Sequence, residues 1–315
     1  MISEPSDTYD AIVIGAGPAG LTAATYLGRF YRKALVLDGG SSRASWIPES
    51  HNTPGFPQGV GGEALLARLR EQADRYGAER RGGRARSLVR GADGFVLAFE
   101  GEDAPDQDLG APITVRAPFV LLATGVVDRL PALEGVEDAI RAARVRLCPI
   151  CDAYEATGQR IAVLGDSEHG AREAAFLTTY SPEVTLLDLR PDAPTEGDGV
   201  FARLPARLTD IALGPDAVTV AAGDARRVFD CLYLALGFDS QQDIARQAGA
   251  ALDEDGRLVV SAHQQTSVNG LYAAGDVVRG LNQIAVATAE AAIAATDIHN
   301  RLRAREGNST ASSAQ

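Results

Sequence analysis

This chain of 315 residues has little to build a structural metal centre from: three cysteines and four histidines. Zinc takes four ligands, yet His51, His169, His263 and His299 show no ligand spacing, and Cys231 lies in an apolar run. No uninterrupted apolar stretch approaches the ~20 residues of a spanning helix, so no membrane partner is expected. A basic surplus is absent too. Thirty Lys and Arg stand against 42 Asp and Glu, giving a formal net charge of −12. Nucleic acid is thereby excluded as the main partner, because neutralising phosphates needs cations in excess. The polar first ten residues lack a positive region followed by an apolar core. No signal peptide is read there, and a cytoplasmic location is expected.

What is present is ordinary for a globular α/β protein: 45% hydrophobic and 23% charged residues, with length enough for two domains. The distinctive stretch is Cys148-Pro-Ile-Cys151-Asp152. Two cysteines two residues apart, ahead of a short helical turn, can bond to one another, and the turn's free N–H groups favour a thiolate. A disulfide there closes almost no loop, so it stabilises little and reads as reactive. In a reducing compartment such a pair is more often catalytic than structural. Cys231, within Cys231-Leu-Tyr-Leu-Ala-Leu-Gly237, reads as an inert core residue.

Two nucleotide-type units frame this pair. In the first, the apolar run Ala11–Gly15 leads into Gly15-Ala-Gly17-Pro18-Ala19-Gly20 and then a helix over Leu21–Phe30. Strand before and helix after are the context a dinucleotide fingerprint requires. The glycines let the backbone approach a pyrophosphate at the positive helix end. Asp38, followed by Gly39, closes the next strand at about the 20-residue spacing from which an acid reaches a ribose hydroxyl. The second unit repeats the plan: strand Arg160–Leu164, turn Gly165-Asp-Ser-Glu-His-Gly170, helix Ala171–Tyr180, and Asp188 at the same interval. Its middle glycine is Ser167, and Asp166 and Glu168 stand where a pyrophosphate would approach. Between the units, residues 39–61 read as a long loop. A helix is predicted over Gln283–Leu302, followed by a polar, unstructured tail from Glu306.

From Ala11 to about Arg303 the chain resembles the low-molecular-weight thioredoxin reductases, flavoproteins of the pyridine nucleotide–disulfide oxidoreductase type. The match runs through Gly15–Gly20 with Asp38, Asn52-Thr-Pro-Gly55, Ala123-Thr124-Gly125, Cys148–Asp152 and Gly275-Asp276. The family's Arg-Gln-Ala that follows the last motif is here Asn282-Gln283-Ile284. The resemblance implies two Rossmann-like, three-layer nucleotide-binding domains. A discontinuous FAD domain is expected at 1–117 and 244–315, with an inserted NAD(P)-type domain at 118–243 carrying the cysteines. FAD would be held by Gly15, Gly17, Pro18, Ala19, Gly20, Asp38, Gly39, Asn52, Thr124, Gly125, Gly275, Asp276, Gln283 and Ile284. Cys151 would face the flavin, Cys148 would attack an external disulfide, and Asp152 would act as acid/base. The family also implies a homodimer and a thioredoxin-like protein as partner.

Two departures bear on the electron donor. The second fingerprint ends in Gly170 where the family has Ala, besides carrying Ser167. The His-Arg-Arg clamp for the NADPH phosphate is replaced by Asp188-Leu189-Arg190. Without a paired guanidinium fork NADPH is not the expected donor; if a pyridine nucleotide serves, NADH is expected, its 2′-hydroxyl donating to Asp188. Tyr154-Glu155 after the cysteines and the altered loop Ser41–Phe56 also resemble the dithiol oxidases of the superfamily, which close disulfides in small molecules and pass electrons to oxygen. In such an oxidase His51 could move protons. A non-catalytic flavin redox sensor is the third class. The two cysteines with their following acid weigh against it.

Overall fold

A computed structural model describes residues 7–40, 42–101, 112–191 and 199–307. The polar, acidic stretch Glu102–Asp108 and residues 308–315 of the tail lie outside these. Seven α-helices occur among the described residues: α1 (Pro18–Arg29), α2 (Gly62–Arg75), α3 (Val136–Arg141), α4 (Pro149–Asp152), α5 (Glu168–Leu177), α6 (Asp243–Gln247) and α7 (Ile284–Arg305). None of the described helices is long and apolar enough to cross a membrane. The chain divides into two compact units. The first comprises Met1–Ala44, Ala64–Val126 and Ser240–Gln315; the second comprises Ser45–Glu63 and Val127–Asp239.

The first unit is built on an eight-stranded sheet. Across it run Asp7–Thr8, Ile113–Ala117, Phe95–Gly101, Glu79–Arg90, Ala34–Asp38, Ala11–Ile14, Phe119–Leu122 and Leu271–Ala273. The last four of these are parallel neighbours and buried along almost their whole length, as strands covered on both faces must be. Ile12, Ile14, Leu35, Leu37, Val120 and Leu122 point to one face and join Phe95, Leu97 and Phe99 in a single core. On the other face lie α1 and α7, where the Tyr272 hydroxyl donates to Asp297. Phe119–Leu122 sits inside this sheet, so the boundary expected at 117/118 falls instead after Val126.

Helix α1 begins earlier than its apolar periodicity suggests. Pro18 takes its first position, where a fixed φ suits the helix and the missing N–H costs nothing. Helix α7 outlasts the expected Leu302. Glu306, expected to begin an unstructured tail, caps it and forms an ion pair with Arg32 at 2.5 Å. The expected loop 39–61 contains a 3₁₀ turn, Arg43–Trp46, and a bridge between Ser50 and Val60.

In the second unit five parallel strands are ordered Ala202–Pro205, Val184–Asp188, Ile161–Gly165, Cys231–Ala235 and Val145–Arg146. Alternation sorts their side chains. Ile161, Val163, Cys231 and Tyr233 pack with Ala174 and Leu177 of α5. Ala162, Leu164, Leu232 and Leu234 pack with Ile211, Val218 and Val220, which belong to a three-stranded antiparallel sheet. The unit therefore has three layers, one of them an antiparallel sheet where helices cover the other face. Helix α5 rests directly on its strand: a Cβ added to Gly170 would lie 2.9 Å from Gly165 Cα. Gly170→Ala is expected to destabilise this unit by roughly 1–3 kcal/mol, the usual cost of overpacking; urea denaturation followed by circular dichroism would measure it, and an unchanged midpoint would refute the contact's importance.

Candidate active site

Cys148 and Cys151 are joined in a disulfide with their Cα atoms 5.3 Å apart. Cys148 caps α4 in extended conformation, Pro149 starts the turn, and the Cys151 N–H donates to the Cys148 carbonyl at 3.0 Å. Asp152 closes the same turn. Its carboxylate accepts a hydrogen bond from the Tyr233 hydroxyl at 2.9 Å. The Arg146 guanidinium donates to the Asp152 carbonyl at 2.8 Å and lies 3.6 Å from the carboxylate. Burial raises the Asp152 pKa from 3.8 to about 6, against the lowering influence of Arg146 and Tyr233. Charging the group there costs roughly 3 kcal/mol more than in water. A carboxyl with that value can give or take a proton near neutral pH.

The second unit also holds Asn52 and His51. The Asn52 amide reaches the carbonyl of Ile150, between the cysteines, at 3.5 Å, and the Ser50 hydroxyl donates to the Asn52 oxygen at 3.2 Å. Asn52 is thus grouped with the redox turn, whereas the other residues expected at the flavin belong to the first unit. His51 pairs with Glu49 at 3.2 Å. Cys231 is buried, which pushes its thiol up to about 12; it stays protonated and unreactive. No cluster of three metal-ligating side chains occurs among the described residues.

The first unit brings the expected nucleotide residues to the C-terminal ends of its parallel strands. Gly15 has φ +113°, and a Cβ there would lie 2.2 Å from the Ala123 carbonyl oxygen; one on Gly20 would lie 1.8 Å from the Gly15 oxygen. These two glycines fold the loop. Gly17 differs, since a Cβ on it would meet only the Ser42 hydroxyl at 3.3 Å. It faces room that the protein does not fill. Beyond it, α1 starts with no acid in its first turn and no side-chain cap, leaving backbone N–H groups for an anion. A Cβ on Gly275 would lie 3.3 Å from that of Ala19, which brings the C-terminal motif to the same helix end. Asp276 sits 3.8 Å from Arg43. Asp38 accepts from the Gly40 N–H at 3.0 Å, just past Gly39. Thr124 donates to the Gln241 carbonyl at 2.5 Å beside Gly125, and Gln283 and Ile284 cap and open α7. The uncapped helix end and the open face of Gly17 fit a dinucleotide such as FAD.

At the second fingerprint the fit is poorer. Gly165 and Gly170 are required by the strand–helix contact, while the middle fingerprint position is Ser167, the N-cap of α5. Glu168 occupies the first turn of α5. Asp188 is 2% exposed. Its oxygens accept from the Arg190 N–H at 3.1 Å, Arg190 Nε at 3.0 Å, Arg190 Nη2 at 2.8 Å and Arg203 Nη1 at 2.5 Å. Burial opposes ionisation, but these guanidinium bonds outweigh it and hold the carboxyl below its ordinary range. The remaining arm of Arg190 goes to Glu168 at 2.5 Å. The roughly four acceptor positions of a carboxylate are thus taken up by protein donors.

Residues 9–291 match the family model described as "Pyridine nucleotide-disulphide oxidoreductase". The chain belongs to this family. Among its relatives is a thioredoxin reductase of Aquifex aeolicus, 30% identical, with 93% of this chain and 92% of the relative aligned. A thioredoxin reductase of Mycolicibacterium smegmatis is 28% identical over 94% and 96% of the two chains. The solved thioredoxin reductase of Giardia duodenalis superposes with a TM-score of 0.79 at 26% identity, covering 94% of this chain and 99% of that one. The protein is thus an FAD-dependent disulfide oxidoreductase resembling thioredoxin reductase, with the two-domain Rossmann-like fold.

Four supporting side chains were not foreseen. Arg146 and Tyr233 were legible only as a charge two residues before Cys148 and a polar tip inside an apolar strand. Arg203 lies far along the chain from Asp188. Glu290, 3% exposed, accepts from the Gly275 N–H at 2.9 Å and from Arg279; its signal was an acid within an alanine-rich stretch of helix.

The raised Asp152 value has a definite pH consequence. Its favourable contribution to folding is complete below 3.8 and is lost as pH rises through about 6. For thiol exchange the sign is opposite, since only the carboxylate can take a proton. Oxidation of the reduced cysteine pair by an external disulfide is expected to slow as pH falls through about 6. Asp152→Asn removes that inflection and Tyr233→Phe moves it upward. A rapid-mixing pH profile checks this, and a wild-type profile flat from pH 5 to about 7 would contradict it.

Proposed function

We propose that the protein moves two electrons between FAD and the Cys148–Cys151 pair, and from there to the disulfide of a thioredoxin-like protein or a small molecule. The observation that carries this is the disulfide at the end of a turn whose next residue, Asp152, is a carboxyl poised near neutrality. When bound, FAD supplies two-electron chemistry. The chain's own part is thiol exchange. The Cys148 thiolate attacks one sulfur of the external disulfide and forms a mixed disulfide, releasing the first thiolate. The Cys151 thiolate then attacks Cys148 Sγ, which closes the internal bond and releases the second. The external disulfide is reduced and the internal pair oxidised. Asp152 takes and returns the proton, held by Tyr233 and Arg146. Gly15, Gly17, Gly20, Asp38, Gly275 and Asp276 hold the flavin in this reading. The kinship with thioredoxin reductases supports a homodimer and a cytoplasmic site of action.

The donor is where this chain parts from that kinship. Asp188, Arg190, Arg203 and Glu168 form a closed ion-pair set where a nucleotide's ribose would be read, leaving neither a free guanidinium for a 2′-phosphate nor a free carboxylate for a 2′-hydroxyl. NADPH and NADH are therefore both poor reductants in our reading. This favours, as second reading, an oxidase in which a small dithiol reduces the pair and oxygen takes the electrons. Anaerobic stopped-flow reduction of the flavin by NADPH, NADH and dithiothreitol in parallel decides the donor. Slow bleaching by both nucleotides and fast bleaching by the dithiol is expected. Rapid bleaching by NADPH at micromolar concentration would overturn the donor assignment.

A further inference from the structure

We propose that the first unit carries a binding site for a small organic oxyanion at the sheet edge opposite the flavin fingerprint. A cleft of about 380 Å³ opens there, within the ~300–1,000 Å³ typical of small-molecule sites. Its walls come from the turn after strand Glu79–Arg90, the start of strand Phe119–Leu122, the turn at Asn269, and the last turns of α7. Strands Phe119–Leu122 and Leu271–Ala273 begin at this cleft and run in parallel toward Ala123 and Gly275. The cleft and the fingerprint thus lie at opposite ends of the same strands, and nothing in the redox reading uses it.

Arg90, Arg301 and Arg305 line the cleft and no carboxylate does, in a chain with a formal net charge of −12. Arg301 is fixed in place: it donates to the Tyr272 hydroxyl at 3.0 Å and to the Asn269 side-chain oxygen. Its guanidinium carbon lies 5.3 Å from the centre of the Phe119 ring, and that of Arg305 lies 5.5 Å from the same ring. One aromatic side chain therefore gathers two guanidinium groups within reach of a single ligand. Among the described residues, neither Arg90 nor Arg305 has a carboxylate within ion-pair distance. Cations in the last turn of a helix offset its dipole, which would account for Arg305 alone. It does not account for Arg90, brought from a hairpin, or for the fixing of Arg301 across the cleft.

Guanidinium groups offer paired N–H donors that match the oxygens of phosphate or carboxylate, and Phe119 with Pro118 supplies an apolar wall. The ligand class is a phosphorylated or polycarboxylate metabolite. Isothermal titration calorimetry on the full-length, FAD-loaded protein tests this, with inorganic phosphate and citrate as separate probes at low chloride. At least one should bind saturably and more weakly as salt is raised. The Arg90→Ala/Arg305→Ala double variant should lose roughly tenfold or more in affinity, while Arg226→Ala, an exposed arginine far along the chain, keeps it. Binding of phosphate alone assigns a phosphorylated ligand, and of citrate alone a carboxylate one. Undiminished binding by the double variant, or no saturable heat with either probe, would overturn the site.

Discussion

A half-buried carboxyl beside a disulfide is the constraint that the second unit is arranged to satisfy. Asp152 reaches its position because a proline-started turn ends there. The hydroxyl it accepts from belongs to Tyr233, an interior strand residue, and the cation beside it, Arg146, ends a neighbouring strand. Without partners, desolvation alone would push such a carboxylate further toward its neutral form. One hydrogen bond and one guanidinium 3.6 Å away bring it back to a value near 6. Burial and partners pull in opposite directions, and that balance leaves a group able to exchange a proton near neutral pH.

The two nucleotide-type units show how a shared plan can be kept for folding and altered for binding. In both, a glycine at the strand end and a glycine in the helix allow close packing, and these remain. The glycine facing open space remains only in the first unit. At α1 the helix end is free of acids and uncapped by side chains. At α5 the first turn carries Glu168, which is engaged with Arg190. Packing fixes the outer glycines whatever the unit binds; only a ligand requires the middle one. The replacement by Ser167 is therefore the more telling difference between the units.

Much of this could be read in the chain before its structure. Buried parallel strands announce themselves as short apolar runs, and Gly15–Gly20, Cys148–Asp152 and Gly275-Asp276 are local patterns whose spacing carries the chemistry. What could not be read depended on contacts between distant segments. Nothing near Asp188 in sequence revealed Arg203 reaching it. Nor did the sequence reveal the Asn52 amide reaching the Ile150 carbonyl. Phe119–Leu122, just past the boundary expected at 117/118, continues a sheet whose other strands run from Asp7–Thr8 to Leu271–Ala273.

The central claim, that flavin and the Cys148–Cys151 disulfide form one redox system, is tested most directly by counting electrons. Anaerobic dithionite titration of the FAD-loaded protein should require about four electron equivalents per chain for full reduction, two for each of two two-electron centres. The Cys148→Ser/Cys151→Ser double variant should retain its flavin and require about two. A wild-type protein that is fully reduced by about two equivalents, identical to the variant, would contradict the account.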